Sequence, residues 1–292
     1  MYSKTSQLLI NIFFWLIVIA CLLPFILLCM ASITDDAEII RSGYSLFPKA
    51  ISFSAYDYLF TNIASILRAY GITVLITIVG TITSLLISSL LAYPLSRKEF
   101  VLRKPMTFFV FFTMLFSGGL VPTYILYSQY LQMKNTIFAL IIPILMMRAF
   151  YVLLIRTFFI TSIPDTVLES ARIDGAGEWR IFFQIVLKLS YPVLATVGLF
   201  QAVNYWNDWF NGMIFITNKH LYSIQNLLNR ILLDIQFLQT NQLSGSYDPT
   251  SNIPLESVRM ALAVLGIVPI FAAYPFFQKY FVKGLTVGAV KG

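Results

Sequence analysis

One polar stretch between two apolar runs decides how this chain folds: SIPDTVLESARIDGAGEWRIF, residues 162–182. Pro164 fits the first turn of a helix, and Asp165 stabilises the positive end of that helix. Gly175 and Gly177 predict a break in the helix. The apolar residues after the break recur at helical spacing, namely Trp179, Phe182, Phe183, Val186 and Leu187. The stretch therefore predicts two short amphipathic helices. That is more structure than a connection between two spans needs, and it favours a docking element.

The composition places this stretch in an integral membrane protein. Of the 292 residues, 58% are hydrophobic and 11% are charged, whereas about a quarter of a soluble chain is charged. A mean hydropathy of +0.79 excludes a disordered chain, a fibre and a disulfide scaffold. Cys21 and Cys29 both lie in the first apolar run, where we expect them to act as small apolar side chains. With His220 as the single histidine, the sequence predicts no metal site.

Six apolar segments are long enough to cross a bilayer as helices, which need about 20 residues each. The predicted spans are residues 10–30, 71–93, 106–130, 136–157, 189–216 and 260–278. The first segment is longer than the core of a signal peptide, which has about 7–15 residues, so we expect it to be retained. The chain is therefore predicted to be an all-α polytopic membrane protein with a single transmembrane domain over residues 1–292.

The distribution of charge predicts the orientation of these spans. Arg97, Lys98, Arg103 and Lys104 crowd the loop between the second and third spans, and positively charged loops face the cytoplasm. The segments that then fall on the cytoplasmic side hold twelve basic and five acidic residues, which accounts for the whole net charge of +7. Both termini are predicted to be cytoplasmic, and the excess positive charge requires no nucleic-acid partner.

The polar stretch carries a specific resemblance. Glu169-Ser170-Ala171, then Gly175 three residues later, then the apolar residues 185–187, is similar to the EAA loop of ABC importer permeases. The resemblance implies that residues 162–188 form the cytoplasmic coupling loop, which docks on an ATPase subunit. It also implies which residues make that contact: Glu169, Ser170, Ala171, Asp174 and Gly175. One residue departs from the pattern, because Lys188 stands where the family usually has proline, and Pro192 follows four residues later.

Other segments resemble the carbohydrate permeases of the maltose-transport type. Residues 171–176 and 274–284 are similar to that branch, and residues 41–48 and 116–124 resemble a sub-branch for complex oligosaccharides and polysaccharide fragments. The resemblance implies a type I ABC importer permease in a bacterial cytoplasmic membrane. Its expected partners are a second permease, two ATP-binding subunits, an extracytoplasmic solute-binding protein, the carbohydrate substrate and membrane lipid. The second permease is expected to be a different, homologous chain, with a homodimer as the alternative.

The sequence contains no phosphate-binding loop of the GxxxxGK[ST] type. This chain is therefore expected to bind no cofactor, and ATP and Mg²⁺ are expected on the partner ATPase. No catalytic constellation is predicted either. The alternative function is a stand-alone, ion-coupled secondary transporter, which would need paired titratable groups inside the membrane. A membrane-embedded enzyme would need clustered His, Asp or Glu near one interface.

Candidate substrate contacts concentrate in the fifth span. Sugar sites combine hydrogen-bonding amides or carboxylates with aromatic rings, and Asn207 and Asp208 lie between two tryptophans. If the spans are continuous helices, Asp208 lies about 25 Å beyond Tyr191 and Arg148 lies about 16 Å into the fourth span. The predicted substrate-pathway residues are Tyr124, Tyr127, Arg148, Trp206, Asn207, Asp208, Trp209 and Asn211. The alternative for the fifth-span group is an interfacial aromatic belt with a polar contact between subunits, and for the tyrosines it is packing.

Overall fold

The protein is described by a computed structural model that covers the backbone of residues 4–61, 63–243 and 254–289 and the side chains of residues 6–61, 63–237 and 254–272. The side chains of the motif at residues 274–284 lie outside this range. The described chain is helical, as predicted, and its one β-type contact is an isolated bridge between Thr34 and Ile51. The helices are α1 (Lys4–Ser32), α2 (Asp36–Ser42), α3 (Ser54–Phe60), α4 (Ile63–Ser96), α5 (Arg103–Leu115), α6 (Leu120–Ile125), α7 (Phe138–Ile141), α8 (Ala149–Ser162), α9 (Asp165–Ile173), α10 (Glu178–Ile181), α11 (Leu187–Leu189), α12 (Tyr191–Trp206), α13 (Phe210–Phe215), α14 (Ile224–Leu243) and α15 (Leu255–Ala289).

Within the described residues, three helices are long and apolar enough to cross a membrane: Ser6–Ser32 of α1, all of α4, and Leu255–Ala272 of α15. Three bent helix pairs also qualify by length and composition, so the chain has up to six spans. The predicted all-α polytopic fold is confirmed at this level.

The region of the third predicted span is two helices rather than one. α5 and the segment Leu120–Tyr130 meet at an angle of 112°. The break falls at a pair of glycines, and Gly119 has a φ of +84°, a conformation that favours glycine. Leu126–Tyr130, which ends this region, is a turn of π-helix.

The region of the fourth predicted span starts as the four-residue helix α7 and then loses its helical form up to Arg148. Pro143 cannot donate a hydrogen bond to continue the helix, and Ile144 has a φ of +65°. Arg148 has an extended backbone, with φ −105° and ψ 122°, immediately before α8. The expectation that Arg148 lies about 16 Å along a continuous helix is therefore wrong, because the helix restarts after this residue.

The chain divides into two compact units, which comprise residues Met1–Ile66 with Leu227–Ala272 (unit 1) and Leu67–Asn226 with Ala273–Gly292 (unit 2). In unit 1, acidic side chains cap helix ends: Asp35 accepts from the N–H of Ala37 at the start of α2, and Asp36 accepts from the N–H groups of Glu256 and Ser257 at the start of α15. The acids that follow the first predicted span therefore organise the segment between the first and second spans locally.

The core of unit 2 surrounds the polar stretch quoted above. Apolar side chains from α4, α8, α9, α10 and α12 are buried together, and the larger members are Tyr93, Leu95, Ile155, Phe159, Leu168, Phe182 and Val197. Burying a large aliphatic or aromatic side chain contributes about 1.5–3 kcal/mol. This core fixes α9 and α10 to the ends of α4 and α8.

Candidate functional site

The stretch at residues 162–182 folds as two helices, as predicted. Leu168 and Ala171 lie on the face of α9 that packs into the core of unit 2. The opposite face carries Glu169, Ser170 and Asp174, all exposed, and Ile173, whose relative exposure is 86%. Of the five residues predicted to touch an ATPase, Ala171 therefore belongs to the packed face, while the other four are open to a partner.

The end of α9 has the geometry that the glycine pattern predicts. Gly175 has a φ of +78°. Its N–H donates to the carbonyl of Arg172 (3.0 Å), and the N–H of Ala176 donates to the carbonyl of Ala171 (2.9 Å). These two bonds form a Schellman motif, which ends a helix at a left-handed residue. The predicted break at Gly175 is confirmed.

The second loop helix continues past the position where the related pattern has proline. α10 leads through a π-helical turn, Phe182–Val186, into α11, which includes Lys188 and ends at Leu189. The helix is interrupted at Ser190, and Pro192 lies in the first turn of α12. Proline is tolerated there because the first N–H groups of a helix have no intrahelical partner. The shift of proline by four residues thus lengthens the loop helix without disrupting α12.

A carboxylate ties the two loop helices to α4. Arg172 Nε donates to Glu178 Oε1 (3.0 Å), and the Tyr93 hydroxyl donates to Glu178 Oε2 (2.5 Å). Burial opposes ionisation of Glu178, but the hydrogen bonds from Tyr93 and Arg172 outweigh it and lower the pKa of Glu178. The hydrogen bond to Glu178 is also the main reason why the pKa of Arg172 is raised. Both groups are therefore charged at neutral pH.

A second anchor joins the start of α9 to the end of α4. The Arg97 guanidinium is buried, with a relative exposure of 7% for the residue, and donates from Nη2 to the carbonyl of Phe159 (3.3 Å). Its Nη1 lies 3.6 Å from Asp165 Oδ1, and Lys98 Nζ lies 3.2 Å from the other oxygen of Asp165. The guanidinium also lies 5.4 Å from the centre of the Tyr93 ring. Both ends of α9 are thus held to α4.

A cavity of about 450 Å³ opens beside these anchors. Its charged wall consists of Arg97, Glu99, Arg172 and Glu178, and its apolar wall includes Phe100, Trp179 and Phe182. The Trp179 ring stacks on Phe183 at 6.0 Å and remains largely exposed. The loop therefore presents two surfaces to a partner, the outer face of α9 and the aromatic rim of α10.

The predicted substrate-pathway region is built around the irregular segment after α7. Three carbonyls of this region accept side-chain hydrogen bonds from the α12–α13 segment: Tyr205 donates to Ile141 (2.8 Å), Asn211 to Pro143 (3.2 Å) and Gln201 to Leu145. Backbone outside a helix is tolerated at membrane depth only where protein or water satisfies it. We call Gln201, Tyr205 and Asn211 the polar clamp.

The fifth-span residues differ in how far they reach solvent. Asn211 is buried within the polar clamp, whereas Asn207 and Trp209 are exposed in the break between α12 and α13. Asp208 accepts from the N–H of Asn211 (3.1 Å) through Oδ1, while its Oδ2 is buried without a hydrogen-bond partner in the described part of the chain. The Trp206 ring lies 6.5 Å from that of Tyr70.

The predicted third-span tyrosines share one packing partner. The Tyr124 ring stacks on Phe215 at 5.9 Å, and the Tyr127 ring meets Phe215 edge-on at 6.2 Å. The hydroxyl of Tyr124 accepts from Lys134 Nζ at 3.5 Å. These two rings are therefore brought together with α13, which follows the exposed Asn207 and Trp209.

Sequence reasoning missed the residues that hold the site in place. In the sequence, Arg97 is one of four cations in a loop, and Gln201 and Tyr93 lie in apolar runs and are not among the predicted site residues. An amide or a phenol inside an otherwise apolar helix is the available signal, because such a group must find a partner in the membrane. Which partner it finds depends on the fold.

Known proteins resemble the chain over its full length. It is 37% identical to the polygalacturonan/rhamnogalacturonan transport system permease protein YtcP of Bacillus subtilis, with 100% of both chains covered. It is 30% identical to the arabinooligosaccharides transport system permease protein AraQ of Halalkalibacterium halodurans, again over 100% of both. A chain from the crystal structure of a bacterial ABC transporter involved in the import of the acidic polysaccharide alginate superposes with a TM-score of 0.79 at 28% identity, covering 96% of this chain and 99% of that chain.

The family described as the inner membrane component of binding-protein-dependent transport systems matches residues 3–287. The sequence resemblance to ABC importer permeases is thereby confirmed, and such a subunit is a permease whose ATPase is a separate chain. With the family match spanning nearly all of its length, this chain belongs to the inner membrane components of binding-protein-dependent transport systems.

Proposed function

We propose that this chain is one of two permeases in an ATP-driven importer that takes up an oligosaccharide from an extracytoplasmic binding protein. The single observation that supports this best is the geometry of α9, whose inner face is packed in unit 2 while its outer face is open. Two ATP-binding subunits would occupy the cytoplasmic side. The second permease would be a different, homologous chain, and the N- and C-termini would be cytoplasmic.

In this proposal, ATP-driven movement enters the permease through α9. Glu169, Ser170, Ile173 and Asp174 form the exposed docking face. The anchors at Asp165 and Glu178 then pass the displacement to α4. The start of α9 pairs with Arg97, directly after α4, and its end is linked through Arg172 and Glu178 to Tyr93 of α4. A rigid helix held at both ends moves as one body, so a push on its outer face reaches α4.

We predict that Glu169→Ala weakens docking of the ATPase subunits and thereby lowers ATP-driven transport. Glu169 is exposed and makes no hydrogen bond among the described residues, so its loss leaves the permease fold unchanged and removes one contact to the ATPase. Losing a hydrogen-bonded charge at an interface costs about 2–5 kcal/mol. The measurements are co-purification of the ATPase subunits and ATP-driven uptake in proteoliposomes, both of which should fall at least tenfold.

The control for Glu169→Ala is Gln184→Ala, which alters another exposed polar residue on the same loop. That variant should retain uptake, and both variants should keep the thermal unfolding midpoint of the parent. Uptake that survives Glu169→Ala and also proceeds without ATP would contradict the importer and favour the ion-coupled secondary transporter.

We further propose that the substrate passes the exposed part of the predicted pathway, with Asn207, Asp208 and Trp209 as direct contacts and Trp206 beside them. The unpartnered Oδ2 of Asp208 supports this, since a buried polar atom without a protein partner needs another one. Tyr124, Tyr127 and Arg148 complete the proposed path. Asn211 would act by holding the wall of that path through its bond to Pro143.

We predict that Asn207→Ala and Asp208→Ala weaken uptake while ATPase docking is retained. Each removes a hydrogen bond to a sugar hydroxyl, so uptake at low substrate concentration should fall about tenfold. The measurement compares uptake of labelled oligogalacturonides with that of a neutral oligosaccharide of equal length, since two relatives carry names of plant or acidic polysaccharides. Asn11→Ala, an exposed amide on α1, is the matched control. Equal loss of assembly and uptake would instead assign these residues to packing.

A further inference from the structure

A second cavity, of about 360 Å³, lies between α5 and α8 on the side that the sequence assigns to the cytoplasm. We call it the α5 cavity. Six residues line it: Arg103, Lys104, Thr107, Phe108, Phe111 and Arg156. Three of the six are cations, and none is an acid. The transport mechanism proposed above uses none of these residues.

The cations of the α5 cavity have no counter-ion among the residues that the structure describes. Among the described residues, the neighbouring cations Arg97 and Lys98 both pair with Asp165, but no ion pair includes Arg103, Lys104 or Arg156. Like charges that line one cavity repel each other, and this repulsion is unfavourable unless an anion lies between them. Asp165 therefore neutralises Arg97 and Lys98, whereas no described residue neutralises Arg103 and Lys104 of the same loop.

Arg156 is positioned to use its guanidinium in the cavity. Its Nε donates to the carbonyl of Leu95 at 2.9 Å, and this bond orients the side chain from α8. An arginine has five N–H donors, so four remain for a ligand. Planar guanidinium groups bind phosphate through two parallel hydrogen bonds, which a neutral ligand would not satisfy.

Thr107 provides a second, independent sign of a ligand. Its hydroxyl is buried and has no hydrogen-bond partner in the described part of the chain. Threonines in helices ordinarily donate to a carbonyl in the preceding turn, as Thr113 does in this same helix to Val110 at 2.8 Å. Because a buried hydroxyl without a partner is unfavourable, Thr107 is expected to bond to whatever fills the cavity.

The order of side chains along α5 matches the order of groups in a phospholipid. Arg103, Thr107 and Phe111 follow each other at intervals of four residues, so they lie on one face of the helix over about 12 Å. Cations come first, the hydroxyl next and the aromatic rings last. Phe108 and Phe111 are 60% and 45% exposed, and no residue of α5 is buried. A free phosphate would bind the first part of this surface and leave the rings uncovered.

We propose that the α5 cavity binds the phosphate headgroup of an anionic phospholipid such as phosphatidylglycerol, with the acyl chains against Phe108 and Phe111. Basic pockets between transmembrane helices at the cytoplasmic face recognise such headgroups. Arg103, Lys104 and Arg156 bind the phosphate, and Thr107 donates to one of its oxygens. The lipid fills the space between α5 and α8 and thereby supports the bent third-span region next to the coupling loop.

The test measures lipid retention by the full-length chain in its assembled transporter, in nanodiscs of phosphatidylcholine containing a minor fraction of phosphatidylglycerol. Native mass spectrometry counts the phosphatidylglycerol that remains after delipidation. The double variant Arg103→Gln/Lys104→Gln should weaken retention about 25-fold, since each cation that binds the lipid phosphate in the cavity is expected to contribute about fivefold in affinity. Thr107→Val should weaken it by a smaller factor, without loss of positive charge.

The matched control is Lys98→Gln/Lys188→Gln, which removes two cations from the same side that do not line the cavity. It should retain phosphatidylglycerol as the parent does. Equal retention by the cavity variant and the control would overturn the proposal, as would equal retention of phosphatidylcholine by the parent. Complete competition by millimolar inorganic phosphate or glycerol phosphate would identify a free anion as the ligand and overturn the assignment to a lipid. Circular dichroism and the unfolding midpoint confirm that each variant is folded before retention is compared.

Discussion

Two glycines of α4 show how a single position can determine the packing of this helix against α12. A side chain at Gly80 would meet the ring of Tyr205, with Cε1 at 2.6 Å and Cε2 at 2.7 Å from the added Cβ. The Tyr205 ring is fully buried and its hydroxyl is bonded to Ile141, so it cannot move aside. Gly71, on the same helix, has open space around it. Gly80 is therefore what allows α4 and α12 to approach.

We predict that Gly80→Ala destabilises the protein and Gly71→Ala does not. Overpacking against a fixed ring costs about 1–3 kcal/mol. Alanine at Gly71 should be neutral or should stabilise the helix by up to about 1 kcal/mol, because alanine has the higher helix propensity. The measurement is the thermal unfolding midpoint of each variant in the same detergent. A midpoint for Gly80→Ala at or above that of Gly71→Ala would contradict the close approach.

At the residue scale, the sequence shows which polar residues lie in apolar segments, but it does not show which partners they bond to. Asp208 and Asn211 are recognisable because amides and acids are costly in a membrane. The sequence treats them as one group, whereas Asn211 is bonded to Pro143 and Asp208 keeps an unpartnered oxygen. The difference arises from Pro143, which lies 68 residues before Asn211 in the chain, and no local pattern encodes that pairing.

The breaks in the helices are the main feature at the element scale. Apolar length predicts that residues 106–130 and 136–157 can cross a membrane, and it does not predict where the helix stops. Gly119 and Pro143 are visible as breakers, yet isolated glycine and proline are also tolerated within membrane helices. The break at Pro143 is stabilised by the polar clamp, which satisfies the carbonyls of Ile141, Pro143 and Leu145. The clamp depends on tertiary structure, and this is why the prediction of a continuous helix through Arg148 is wrong.

The coupling loop differs from these two spans, because its local sequence determines where its helices begin and end. The turn after α9 needs a left-handed residue at one position only, and glycine occupies it. Gly177, two residues later, has a φ of −71° and caps α10. Neither glycine has a neighbour within 4 Å of an added Cβ, so substitution tests the backbone alone. Comparing a substitution at Gly175 with the same substitution at Gly177 therefore measures backbone strain without a contribution from steric clash.

We predict that Gly175→Ser loosens the end of α9 while Gly177→Ser does not. A residue with a Cβ in the left-handed region costs about 1–2 kcal/mol, whereas serine is a favoured residue at a helix N-cap. Amide hydrogen exchange in the last turn of α9 should become roughly five- to thirtyfold faster in Gly175→Ser, and ATP-driven uptake should fall with it. Unchanged exchange at Ala176, whose N–H closes the turn, would contradict the role given to Gly175.

At the scale of the whole molecule, charge and hydropathy are sufficient to predict an integral membrane protein, whereas the family is recognised from the resemblance of residues 162–188 to the EAA loop. The twelve basic residues assigned to the cytoplasmic side explain a net charge of +7 without any polyanionic partner. The structure adds that these cations differ in their use. Some are neutralised by Asp165 and Glu178 and position the coupling loop, while those of the α5 cavity face no acid. The distribution of positive charges predicts the orientation of the spans, whereas the role of each cation depends on the groups that its side chain contacts.

The orientation itself remains a prediction, and two exposed apolar residues allow a direct test. Val101, in the basic loop, is 90% exposed, and Phe47, between the first and second predicted spans, is 86% exposed. In a background with Cys21→Ala and Cys29→Ala, we predict that Phe47→Cys reacts with a membrane-impermeant maleimide in intact cells. Val101→Cys should react only after permeabilisation, because basic loops are retained in the cytoplasm. The reverse pattern would place α9 outside, where no ATP-driven subunit could reach it, and would contradict both the orientation and the coupling proposal.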